Sequence, residues 1–282
     1  RSIPGENAGF WLIEGIAGYF ESLYVGPEFA TVGGWDSSRL QFARFRMFSA
    51  GDRMPISELR RDGRIAVQQQ ANIARWYAHA IAQTHQLMDG ENARARQAVY
   101  QQLATRYKIK SELTPIDVDK AFAGADNSIL DFLSVDDAHV IDNPVSQPPK
   151  RLVLAGCRVT PKGLNRIPPS PNLVWLDLAG APIGNGDVFR LAPVPGSIQQ
   201  LRLEATQVDD GLSDWLRKAK NLRELDLSST PVSDAVVDAI KAAGQVSQLW
   251  LTGTSVTDKS IGVIARIGSL EMVDLQQKQV TQ

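Results

Sequence analysis

The chain has 282 residues, with 30 Lys and Arg against 31 Asp and Glu, for a net charge of −1. Residues 1–148 carry 15 basic and 18 acidic side chains and residues 149–282 carry 15 and 13, so neither part has the basic excess of a nucleic-acid binder, and no run of about 18 apolar residues is present to span a membrane. The length and the 43% hydrophobic content allow two folded domains, and a lone cysteine, Cys157, excludes an internal disulfide.

The first predicted element is a helix over residues 10–21. Trp11, Leu12, Ile16, Tyr19, Phe20 and Leu23 recur at helical spacing and predict a buried face. Glu14 is a single carboxylate set among them, and it needs either solvent or a partner that offsets its desolvation. Gly15 and Gly18 each cost a helix about 1 kcal/mol relative to alanine. With Ala17 they leave a surface shallow enough for a second helix to approach closely.

Trp11, Leu12, Glu14, Gly15, Ala17, Tyr19, Phe20 and Glu21 match the pattern W-L-x-E-G-x-A-x-Y-F-E. The stretch resembles the second metal-ligand helix of the gluzincin zinc metallopeptidases, the thermolysin-like and aminopeptidase-like families. The resemblance implies that Glu14 is the third zinc ligand, with two histidines and a water-activating glutamate supplied by an upstream H-E-x-x-H helix. No H-E-x-x-H occurs here, and the histidines are His79, His85 and His139. A catalytic zinc takes three protein ligands plus water. The resemblance therefore implies zinc in a longer parent protein and none bound by this chain alone. It also implies that the chain is a fragment whose first ligand helix precedes Arg1; the alternative is a family member that has lost its metal.

Residues 25–38 form a connection broken by Gly26-Pro27 and Gly33-Gly34. A helix begins at Ser38, with Leu40, Phe42, Phe45 and Phe48 on one side and Asp36 or Ser37 as its cap, and Gly51 stops it. Residues 55–59 read as a short helical turn. Residues 65–88 predict one long helix with Ile73, Trp76, Tyr77, Ala80, Ile81 and Leu87 on its buried side, ended by Asp89-Gly90. Helices over 91–107, 115–122 and 128–133 follow. In gluzincins a tyrosine or histidine of a later helix stabilises the oxyanion of the tetrahedral intermediate. The resemblance makes Tyr77 the favoured candidate for that role, with His79 and His85 as the others.

Pro144, Pro148 and Pro149 mark a linker over residues 143–150. After it, an L-x-L core starts at Leu152, Leu176, Leu201, Leu225 and Leu249, with a V-x-L version at Val273, in steps of 24, 25, 24, 24 and 24 residues. An apolar residue follows each core at Val159, Ile183, Val208, Val232, Val256 and Val280. Helical pairs such as Leu164 with Ile167 and Val237 with Ile240 close the units. Thr230-Pro231-Val232-Ser233-Asp234 and Thr254-Ser255-Val256-Thr257-Asp258 give the phrase T-x-V-[TS]-D. These units resemble leucine-rich repeats, which implies a solenoid with a parallel sheet on its concave face. The position usually held by asparagine is taken by Cys157, Ala181, Thr206, Thr230 and Thr254, which gives the cysteine a structural role.

The outward strand positions are Val153, Asp177, Arg202, Asp226, Trp250 and Asp274, flanked by Arg151, Trp175, Gln200, Glu224, Gln248 and Met272. Trp175 and Trp250 are expected to be exposed on this sheet and, with Asp177, Arg202 and Asp226, to meet a protein or peptide partner. Val273, Leu275 and Val280 are expected to leave the far edge open.

The expected architecture is a helical region over 1–142, the linker, and repeats over 151–282: α followed by α/β. Two functions follow. In one, the chain is part of a zinc metallopeptidase whose repeats bind protein, itself inactive in this form and secreted or in the cell envelope. In the alternative, a degenerate peptidase-like helical region accompanies a non-catalytic protein-binding repeat module.

Overall fold

The computed structural model describes residues 9–28, 30–110, 112–145 and 147–276. The chain divides into two compact units, Arg1–Ser134 and Val135–Gln282.

The first unit is helical, apart from an antiparallel pair, β1 (Tyr24–Val25) with β2 (Ala30–Thr31). Its helices are α1 (Phe10–Phe20), α2 (Ser38–Arg44), continued by a π-helical turn at Phe45–Ser49, α3 (Ile56–Arg61), α4 (Arg64–Gln68), α5 (Ile73–Asp89), α6 (Ala93–Tyr107), α7 (Val118–Ala121) and α8 (Ala125–Leu133). The single helix expected over 65–88 is instead two. The carboxamide of Asn72 accepts the Arg75 N–H at 3.2 Å, and this cap starts α5 afresh after the exposed Gln68-Gln69 stretch.

Helix α5 is the centre of the unit. Trp76 and every residue from Ala78 to Met88 are buried, and α1, α2, α6 and α8 surround it. Two of its buried polar side chains bond within the unit: Thr84 Oγ1 donates to the Ala80 carbonyl at 2.8 Å, and Gln86 Nε2 donates to the Ala125 carbonyl at 3.0 Å and to Ser128 Oγ at 2.6 Å.

The glycines of α1 lie directly on this helix. A Cβ at Gly15 would stand 2.0 Å from Thr84 Oγ1 and 2.8 Å from the Ala80 carbonyl oxygen, and one at Gly18 would stand 2.5 Å from Ile81. Gly15 meets Ala80, Gly18 meets Ile81 and the Tyr19 ring meets that of His85 at 4.8 Å. The two helices therefore run side by side in the same direction, with the missing side chains setting how close they come.

The second unit holds a six-stranded parallel sheet whose spatial order is the sequence order: β3 (Arg151–Val153), β4 (Trp175–Asp177), β5 (Gln200–Arg202), β6 (Glu224–Asp226), β7 (Gln248–Trp250) and β8 (Met272–Asp274). In register across it stand Leu152, Leu176, Leu201, Leu225, Leu249 and Val273. The five leucines are buried, while Val273 on the terminal strand is 39% exposed. Leu275 is partly buried, and Val280 lies outside the described residues. Between the strands come α10 (Pro161–Leu164), α11 (Asn185–Leu191), α12 (Ser213–Lys218), α13 (Asp234–Ala243) and α14 (Asp258–Ile264).

After each of β3 to β7 the chain turns through a left-handed residue: Gly156, Gly180, Ala205, Ser229 and Gly253. In three repeats the residue right after this turn ties its hydroxyl back: Thr206, Thr230 and Thr254 donate to the carbonyls of Leu203, Leu227 and Leu251 at 2.7, 2.6 and 2.7 Å. A short threonine thus closes the loop by its own backbone.

Residues 135–142, with α9 (Asp137–Asp142), belong to the second unit for a physical reason. Val135 precedes Val159 by the same 24 residues that separate Val159 from Ile183, and its carbonyl accepts the Arg158 N–H at 2.8 Å. The same bond joins Ile183 to Gln207 and Val232 to Ser255. Val140 is buried as Leu164 is, one step later. This segment is the second half of a repeat and covers the first full one; the proline-rich stretch at 143–150 lies inside the unit.

Candidate functional site

In the first unit the structure brings together Glu14 of α1 and Tyr77 of α5. The Tyr77 phenol lies beside the Glu14 carboxylate, and burial, followed by the charge of Glu14 and its pull on the phenol proton, raises the phenol above its ordinary pKa. Both side chains are half-buried, so the carboxylate has found a partner rather than bulk solvent alone. The arrangement follows from the glycine seam: because α1 and α5 touch at Gly15, the residue before it reaches the α5 flank.

The Tyr77 phenol thus has a carboxylate of its own chain, Glu14, beside it. The histidine candidates are engaged by protein groups. Each ring nitrogen of His79 lies 2.8 Å from a backbone carbonyl oxygen, those of Arg75 and Asp52. His85 is fully buried, with Nδ1 3.3 Å from Asp89 Oδ2, while Asp89 Oδ1 accepts the Tyr19 hydroxyl at 2.7 Å.

Zinc needs a cluster of nitrogen, sulfur or carboxylate donors converging on one point. Among the described residues no three of His, Cys, Asp and Glu are grouped to hold a metal ion. Among the described residues Glu14 is a lone carboxylate beside a phenol, and they do not by themselves fit a zinc centre.

In the second unit the outward side chains of β4 to β7 form a connected row. The Arg202 guanidinium lies 3.0 Å from Asp226 Oδ2 and 3.8 Å from Asp177 Oδ2, and sits over the Trp250 ring at 5.3 Å. Beside it, Gln200 Nε2 donates to Glu224 Oε1 at 2.8 Å. The carboxylates of Asp177 and Asp226 also accept the N–H groups of Ala179 at 3.2 Å and Ser228 at 3.0 Å. In-register parallel pairing puts residues 24 or 25 apart directly opposite each other, so charge alternation along the sequence becomes ion pairing across strands.

The expected exposure of the tryptophans is corrected accordingly. Trp175 is 7% exposed, Asp177 and Asp226 are buried, and Val153 is buried as well. Trp250 is half-buried under Arg202. Half-buried Gln200, Glu224, Gln248, Thr252, Met272 and Asp274, with exposed Glu204, supply the more accessible part of this face. Sequence reasoning placed the strand residues on one face but missed that Arg202 would neutralise its neighbours; the alternation Asp177, Arg202, Asp226 at successive repeats was the available signal.

No helix among the described residues is long and apolar enough to cross a membrane. No protein-family model matches this chain, and no curated protein matches it. Among solved structures, the chain is distantly similar to an internalin (inlF) from Listeria monocytogenes str. 4b F2365, with 18% sequence identity and a TM-score of 0.28 over 43% of this chain and 32% of that chain. The match spans about a third of that protein, and at so low a TM-score the similarity fixes neither fold nor function.

Proposed function

We propose that residues 135–282 are a leucine-rich-repeat solenoid that binds a protein or peptide partner through its strand face. The observation that supports this is the register of β3 to β7: a 24-residue sequence period appears as one parallel sheet that buries a leucine per turn and turns a row of polar and aromatic side chains the other way. A fixed brace of Asp177, Arg202 and Asp226 holds the face in shape, and the side chains from Glu204 to Gln276 around Trp250 meet the partner. Buried aromatic anchors with a polar rim are the usual composition of such a patch.

The test is affinity capture followed by titration of the recovered protein against two variants of the full chain. Binding lost with Glu224→Lys plus Gln248→Lys, and retained with Asp214→Lys plus Asp238→Lys on the helical side, supports the proposal. Equal loss from both pairs, or no saturable partner, retires it.

A second function is favoured by one observation, the placement of the Tyr77 phenol of α5 beside the Glu14 carboxylate of α1. Metal-ligating carboxylates are themselves commonly held by outer hydrogen bonds. On this proposal the first unit is part of a zinc metallopeptidase in which Glu14 contributes one ligand, Tyr77 orients it, and the other ligands come from outside this chain. Zinc would there polarise the scissile carbonyl and activate water. This chain alone is inactive. Stoichiometric zinc in an upstream-extended chain, lost with Glu14→Gln, supports this function; an extended chain that takes up no zinc rules it out.

A further inference from the structure

The helical side of the second unit carries a ladder of side chains that joins neighbouring repeats at 137–160, 185–209, 210–233 and 234–257. Asp137 Oδ1 accepts the Thr160 N–H at 2.8 Å and its Oδ2 accepts the Thr160 hydroxyl at 2.7 Å. Asp210 does the same for Ser233, at 2.8 and 2.5 Å. Asp234 repeats it for Thr257, at 2.8 and 2.7 Å. Each rung therefore pairs a carboxylate with a hydroxyl-bearing cap.

The rung between Asn185 and Asp209 departs from this. Asn185 Oδ1 accepts the Asp209 N–H at 3.2 Å, as the ladder requires, but the cap side chain is now a carboxylate and cannot donate. The donor is reversed: Asn185 Nδ2 donates to Asp209 Oδ1 at 2.5 Å. An amide is needed at 185 because an acid stands at 209.

Asn185 is followed by Gly186. Gly186 is exposed, a Cβ built there would meet nothing within 4 Å, and its N–H lies in the first helical turn, where no intrahelical carbonyl takes it. We infer that Asn185-Gly186 is a deamidation site, and that its modification turns this amide rung into a like-charge rung and loosens the stack between the second and third repeats.

The reaction needs only water. The Gly186 backbone nitrogen attacks Asn185 Cγ; the new N–Cγ bond forms as the Cγ–Nδ2 bond breaks, and Nδ2 leaves as ammonia with the proton from the Gly186 nitrogen. Water then opens the succinimide at either carbonyl, giving aspartate or isoaspartate. The native clasp restrains the first step. Asp209 holds both ends of the carboxamide, and Gly211 packs so closely that a Cβ there would lie 2.7 Å from Asn185 Nδ2. Attack therefore proceeds from the state in which the rung is open. Once formed, the carboxylate at 185 has no proton to give Asp209, and the rung closes against repulsion.

The test uses the full chain, aged in mildly alkaline buffer and mapped by peptide mass spectrometry, with chromatography separating aspartate from isoaspartate. The expected result is a one-dalton gain in the peptide spanning 185–186, abolished by Gly186→Ala and accelerated several-fold by Asp209→Ala. Asn185→Asp should lower the thermal midpoint of the second unit. Asn185→Asp with Asp209→Ser should restore it, because that pair recreates the rung of Asp210 and Ser233. No mass gain at this peptide in the folded chain, or an Asn185→Asp chain as stable as the unmodified one, overturns the inference.

Discussion

Gly15→Ala isolates the seam on which the Glu14 and Tyr77 pair depends. The new Cβ would stand 2.0 Å from Thr84 Oγ1 and 2.8 Å from the Ala80 carbonyl oxygen. Thr84 can rotate, but it then gives up its bond to Ala80, a loss of about 1 kcal/mol. The carbonyl belongs to the α5 backbone and cannot rotate, so α1 must lift. Overpacking of this kind costs about 1–3 kcal/mol, against a gain of about 1 kcal/mol in helix propensity. The net loss is about 1–3 kcal/mol in the first unit.

Gly18→Ala is the internal control. Its Cβ would meet the end of the Ile81 side chain at 2.5 Å, which can repack, so propensity and strain nearly cancel. Hydrogen exchange of residues 10–20 and 73–89 reports this unit without interference from tryptophans in the other. Gly15→Ala should lower protection of both helices and let the Tyr77 phenol titrate closer to its ordinary range as Glu14 moves away; adding Thr84→Ala should recover part of the loss. A Gly15→Ala chain with protection equal to or above that of the parent, alongside a damaged Gly18→Ala, would refute the close-approach reasoning.

Other expectations concern the second unit. Arg202→Ala removes the guanidinium from between two buried carboxylates and should cost about 3 kcal/mol, measured by denaturant unfolding of that unit; an effect no larger than that of Gln200→Ala would show the brace to be ornamental. Ala205 and Ser229 adopt left-handed φ values of 53° and 55° where Gly156, Gly180 and Gly253 stand in other repeats, so Ala205→Gly should gain up to about 1 kcal/mol, and a loss would point to a packing role for the methyl group. Acid should weaken the ladder. Burial pushes the carboxyls of Asp137 and Asp234 up, but the hydrogen bonds from Thr160 and Gly163, and from Ser260 and Thr257, outweigh it, and the Gly211 N–H and Asn185 amide likewise lower Asp209. Folded pKa values below unfolded ones mean that the unfolded chain takes up protons first as pH falls. The ladder's contribution is therefore complete above about pH 4 and is lost as pH drops further, through the folded values; a thermal midpoint of the second unit that stays flat from pH 7 to pH 3 would contradict it.

The repeat sheet was legible because its period is written in single residues. Leucines 24 or 25 apart need only one geometry to be buried together, and the strands fall in that register. The half-repeat at Val135 carried the same step and the same acid, Asp137, yet it lacks an L-x-L strand, and the prolines after it read as a boundary. In the first unit the opening helix and its close neighbour were legible from Gly15 and Gly18. The pairing of Glu14 with Tyr77 was not, because contact between helices separated by some sixty residues has no local period; the two were singled out for separate roles and meet only in space. The break at Asn72 was hidden for another reason: a capping side chain competes with helix continuation by a margin that apolar spacing does not record.

Exceptions to the period carry as much chemical information as the period itself. Where a cap is serine or threonine, the preceding rung is aspartate; where the cap is Asp209, the preceding rung is Asn185. The exchange of an acid for an amide at 185 is meaningless within its own repeat, since every bond at issue reaches into the next one. Its cause is the acid one turn later, and its consequence is a glycine-adjacent asparagine at the joint between repeats. A stacked fold thus couples the chemistry of one position to that of another 24 residues on, and a substitution at either must be judged with its neighbour across the rung. By the same reasoning Asp209→Ser alone should be mild, because Asn185 Oδ1 can accept the new hydroxyl, whereas Asn185→Asp alone should not; if the two single variants are equally stable, the rung is not the unit of coupling.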